Sequence, residues 1–143
     1  MHLYGQERSE IRDVFFNAWS KHTAGEILHG AECTLVHVAL QHPEYHDVLA
    51  NREKYADRDY HIDSGETNPF LHMGMHVTIV EQISTDKPVG IRSRFSQLLH
   101  KMGNEHDAQH RMMECLGQWL WHAQQSASPP DEKEYLDCLQ RMG

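Results

Sequence analysis

The chain has 143 residues and a formal net charge of −8, with 13 lysines and arginines against 21 acidic residues. This length fits a single domain that buries about two-thirds of its unfolded surface. The acidic balance, with no lysine- or arginine-rich block, excludes a phosphate-tracking nucleic-acid surface, which needs a basic face to displace counterions.

In chain order, residues 7–22 place Ile11, Val14, Phe15, Ala18 and Trp19 at amphipathic-helix spacing, with Ser9 as a cap. Before that helix, MHLYGQERSEIRD lacks the apolar core of a secretory signal. No apolar run approaches the ~20 residues of a membrane span, so the expectation is a soluble, cytoplasmic protein with no membrane partner. A second helix is predicted over 27–41, carrying Leu28, Ala31, Leu35, Val38 and Ala39 on one side and ending where Pro43 pushes His42 out of the helical region. A short helix over 43–50 follows, then a charged connection with a brief helix around Arg52 to Ala56, pinned by Tyr55 and Tyr60.

The clearest helix start is at Asn68-Pro69, where asparagine caps and proline loses nothing by lacking an N–H. The helix over 69–85 is also the most apolar. Wound at about 100° per residue, it places Gly74, Thr78, Glu81 and Thr85 in a narrow stripe predicted to face water. His72 and His76 share the opposite row with Ile79 and Ile83, which aims both imidazoles at the interior. Further helices are predicted over 90–102, with Ile91, Phe95, Leu98, Leu99 and Met102 inward, and over 104–125, with Met112, Met113, Leu116, Trp119, Leu120 and Ala123 inward. The last helix, 131–142, is capped by Asp131 and carries Tyr135, Leu136, Leu139 and Met142 on its apolar side. With no period-two segment and no internal repeat, the fold class is an all-α, single-domain helical bundle of about four main helices plus short ones.

The strings GETNPFLHMGMH (65–76) and HRMMECL (110–116), together with HPEYH (42–46) and RDY (58–60), resemble the bacterial family called domain of unknown function 1841. The resemblance extends over most of the chain. It implies one small domain whose motif histidines are those picked out by helical phase, and it transfers no catalytic residue.

The three cysteines, Cys33, Cys115 and Cys138, are odd in number and lack C-x-x-C spacing, so they read as small buried hydrophobes and not as a disulfide framework or a zinc site. Histidine is the outlier, with 13 residues. At that frequency about one H-x-x-x-H pair is expected by chance. The chain has three: His42/His46, His72/His76 and His106/His110.

Imidazoles four apart on a helix project to one side and can close on one ion, with metal–nitrogen bonds of about 2.1 Å. The candidate ligands are therefore His72, His76, His106 and His110. Glu114 adds a carboxylate one turn beyond His110, and His42 is an additional ligand unless it merely ends its helix. His106 and His110 flank the apolar face of their helix, and Glu114 lies farther toward its polar side. The ion expected is zinc or iron first and manganese next. The pattern loosely resembles hemerythrin-like and DinB-like bundles, while the ferritin-type Glu-x-x-His signature is missing from the two helices concerned.

Against this stand a buried histidine hydrogen-bond network in a non-catalytic interaction module and, from the histidine count alone, a pH-responsive protein. Met73, Met75, Met112 and Met113 read as core filler. Trp119 and Trp121 point to different faces, one for the core and one for the site or a homodimer contact. No nucleophile elbow, phosphate loop or dinucleotide fingerprint is present, so no nucleotide cofactor is expected and any small-molecule substrate stays open.

Overall fold

The computed structural model describes residues 8–61, 64–126 and 129–143. Among the described residues every regular element is helical: α1 (Arg8–Thr23), α2 (Ala31–Leu40), a 3-10 turn (Pro43–Tyr45), α3 (His46–Ala50), α4 (Arg52–Tyr55), α5 (Pro69–Thr85), α6 (Ile91–Met102), α7 (Glu105–Ser126) and α8 (Glu132–Met142). The fold is all-α. No helix among the described residues is long and apolar enough to cross a membrane. The chain divides into two compact units, one ending at Thr78 and the other beginning at Ile79.

In the first unit α1 packs on α2 and α3, burying Phe15, Phe16, Ala18 and Trp19. It also buries Arg12, a position the helical pattern leaves on the flank of the apolar face. The second helix starts at Ala31, not at residue 27, because Gly30 adopts φ 55° and ψ −124°, a left-handed conformation that breaks the helix and that glycine tolerates at little cost. Ile27 consequently stands 77 % exposed, while Leu35, Val38 and Ala39 fill the core as predicted. After α2 the backbone at His42 opens to φ −125°, ψ 68°, the extended geometry that a following proline imposes. Pro43 starts the 3-10 turn.

The cap of α5 forms as read. Asn68 Oδ1 accepts from the N–H groups of Phe70 (3.0 Å) and Leu71 (3.2 Å). Phe70 then enters the core with its ring centroid 5.4 Å from that of Phe16 and 6.4 Å from that of Phe15. The stripe predicted to face water does not do so along its length. Gly74 is buried, Thr78 and Glu81 are half-buried, and only Thr85 is exposed. A helix apolar nearly all round is covered on more than one side, and the Thr78 hydroxyl is accommodated by donating to the Gly74 carbonyl at 3.0 Å.

In the second unit α6, α7 and α8 pack against one another. The core holds Ile91, Phe95, Leu98, Met112, Leu116, Tyr135 and Leu139, whereas Met102, read as inward, is 37 % exposed. Gly103 ends α6 with φ 86° and its N–H on the Leu99 carbonyl, the C-terminal cap its position predicts. Asp131 caps α8, accepting from the Lys133 N–H at 3.0 Å.

The cysteines overturn their sequence reading in part, since Cys115 and Cys138 are buried as expected but are not free. Cys115 on α7 and Cys138 on α8 form a disulfide, with Cα atoms 5.8 Å apart, and Cys33 is exposed, not buried. Both bonded cysteines sit beside core leucines, Leu116 and Leu139, on consecutive helices that pack together. That shared inward phase was the available signal, and an odd cysteine count concealed it.

Candidate metal centre

The extended backbone at His42 turns its side chain inward from the end of α2, and helical phase turns His76 inward from α5. Both are buried, His42 at 2 % exposure and His76 at 0 %. His42 Nε2 faces His76 Nδ1 at 3.0 Å. On the other side of the same ring, His42 Nδ1 lies 3.4 Å from Glu44 Oε2, one residue past the proline. His72 packs its ring edge-on to His42, centroids 4.8 Å apart, and Tyr45 stacks on His42 at 5.4 Å. Burial raises the Tyr45 hydroxyl above its ordinary pKa, with Glu44 adding to the shift, so it stays protonated at neutral pH.

A carboxylate only accepts, so the His42 tautomer protonated on Nδ1 suits Glu44 and turns its Nε2 lone pair to His76. In that tautomer His76 Nδ1–H can donate into the lone pair, and the same two nitrogens could instead both turn lone pairs to an ion. Two nitrogens at about 2.1 Å from a metal are roughly 3.0 Å apart at a right angle and about 3.4 Å apart at a tetrahedral angle. The observed 3.0 Å spacing suits either the hydrogen bond or a cis pair of ligands.

In the second unit His106 and His110 pack ring against ring on α7, centroids 4.0 Å apart, and both are half-buried. Glu114, the next polar residue in that row, is turned outward, with its side chain 54 % exposed and Arg111 at 3.3 Å. His46 serves its own neighbourhood. Its Nε2–H donates to the Ala39 carbonyl at 2.8 Å and its ring lies 4.5 Å from Trp19.

The site therefore differs in emphasis from the one legible in the spacing. H-x-x-x-H counting favours pairs within a helix, yet the nitrogens that meet at 3.0 Å in the first unit belong to His42 and His76, 34 residues apart. The signal for His42 was the His-Pro-Glu string itself, in which proline frees the histidine from the helix and the glutamate is spaced to meet its outer nitrogen.

No curated protein and no solved structure matches the chain. A family model matches residues 7–141, and the chain belongs to the family it describes, domain of unknown function 1841.

Proposed function

We propose that this protein binds a transition-metal ion, zinc or iron in preference to manganese, through His42 Nε2 and His76 Nδ1. On this reading His72, whose ring packs edge-on to His42, is the next candidate ligand. Glu114 has no part in it, since its carboxylate faces solvent and Arg111. The observation that carries the reading is the meeting of two buried imidazole nitrogens at 3.0 Å, one from the extended residue after α2 and one from α5, the first backed by a carboxylate on its far nitrogen. Carboxylate–histidine pairs of this kind orient metal ligands and raise their basicity. Nitrogen donors favour zinc, iron or copper over calcium or magnesium. A cytoplasmic setting belongs to the same reading.

The test is metal content. Protein purified without an affinity tag is assayed by elemental analysis alongside His42→Ala and His76→Ala. Near-stoichiometric metal in the parent, lost in both variants with helicity retained, supports the reading. Equal, near-zero metal in all three after incubation with zinc or iron(II) overturns it. The competing reading, a structural histidine network, is favoured by the same hydrogen bond and predicts that added metal leaves thermal stability unchanged.

A further inference from the structure

Arg12 is a buried cation that meets carbonyls and not carboxylates among the described residues. At 2 % exposure it projects from α1 to the chain after α4, where its Nη1 donates to the carbonyls of Tyr55 (3.1 Å), Ala56 (3.1 Å) and Arg58 (2.8 Å). Aromatic faces cover its guanidinium, with Phe70 at 4.9 Å and Tyr60 at 5.4 Å from Cζ. Among the described residues no carboxylate pairs with it, and Nε and Nη2 donate to none of them. Burial and the neighbouring Arg8 lower its pKa, and Asp57 and Asp59 offset this only in part. Arg8 itself is matched, holding Asp59 at 2.5 Å.

Beside this cation, within the first unit, lies a cavity of about 230 Å³. Its apolar wall is formed by Ile11, Phe70 and Leu71, and Arg8, Arg12 and Asn68 supply its polar groups. Asn68 Oδ1 is engaged in capping α5, which leaves the Nδ2 amide as a donor on the cavity wall. The positive end of α5 starts at the same residue. An apolar cavity of about 150 Å³ accepts benzene. A space half as large again takes a six-membered ring plus a carboxylate.

We propose that this cavity binds a small apolar monocarboxylate, with the carboxylate on Arg12 Nε and Nη2 and on Asn68 Nδ2, and the hydrocarbon part against Ile11, Phe70 and Leu71. Guanidinium is the side chain whose planar fork matches a carboxylate bidentately, and in a desolvated setting that pairing is strong. The site is independent of the histidine pair.

The probes are phenylacetate and hexanoate, each set against its neutral amide, titrated calorimetrically into the full chain. At least one acid is expected to saturate and to bind about tenfold or more tightly than its amide, a gap of about 1.4 kcal/mol. Arg12→Met abolishes that preference. Because removing Arg12 also strips three carbonyls of their donor, a second variant at the cavity mouth, Leu71→Trp, fills the space with the cation intact and is expected to weaken the acid about tenfold without lowering the melting temperature. Equal binding of acid and amide, unchanged binding in Leu71→Trp, or no saturation by either acid overturns the proposal.

Discussion

Trp119 lies flat on Tyr135, ring centroids 4.8 Å apart and planes 8° apart, one helical turn along α7 and α8 from the Cys115–Cys138 bond. The indole Nε1–H also donates to the Asp131 carbonyl at 2.8 Å, and the Tyr135 hydroxyl donates to Gln82 Oε1 at 2.7 Å. The α7–α8 pair is thus held by a covalent link and by an aromatic stack with both polar ends satisfied.

The covalent link closes a loop across a sequence separation of 23 residues, which on chain-entropy grounds stabilises by about 3 kcal/mol. Urea unfolding with and without a thiol reductant should show the midpoint falling on reduction. The Cys115→Ala/Cys138→Ala variant should match the reduced protein and no longer respond to reductant.

Replacing Asn68 by alanine removes the acceptor for two N–H groups at the start of α5. The expected cost is about 1 kcal/mol of global stability, read as a lower urea midpoint at unchanged slope. Asn68→Asp keeps the acceptor and should recover most of the loss.

Acid should destabilise the fold through carboxylates whose folded-state pKa is depressed. Arg8 holds Asp59 low, Lys21 holds Glu32 low, and the His61 N–H holds Glu66 low. A depressed folded pKa means stability present above the unfolded value of about 4 and lost as pH falls through the folded one. The melting temperature should therefore drop below about pH 4. Asp59→Asn should shrink that acid-dependent drop, and a melting series at fixed ionic strength checks both.

The metal binding proposed at His42 and His76 would make stability depend on ion concentration by mass action, about 2.7 kcal/mol when free ion exceeds the dissociation constant a hundredfold. Differential scanning calorimetry with zinc should raise the melting temperature of the parent and leave His76→Ala unmoved. Because only neutral imidazoles offer lone pairs to a metal, the rise should fade as pH drops below about 6.

How far the sequence carries depends on the kind of signal. Asn68-Pro69, Gly103 and Asp131 are local chemistry, a cap or a left-handed stop written into one or two residues, and the helices begin or end there. Gly30 is equally local, but within an otherwise periodic run a lone glycine does not announce its φ of 55°, so α2 reads too long. Arg12, the Cys115–Cys138 bond and the His42–His76 contact are non-local. Each joins helical or turn segments whose approach no spacing rule encodes. Arg12 is the least legible, because a charged residue on the flank of an apolar face is solvated by default and only the three carbonyls it meets make its burial affordable.

Those carbonyls carry one more implication. Tyr55 ends α4, and beyond one long local bond, from the Arg58 N–H to the Tyr55 carbonyl at 3.4 Å, the carbonyls of residues 55, 56 and 58 are met from α1, by Arg12 at all three and by Arg8 at the last, more than 40 residues earlier in the chain. Local fraying of this connection is thereby tied to α1. In hydrogen exchange the amides around residues 55–58 should open together with those of α1, as one cooperative foldon and not as a surface loop flickering by itself.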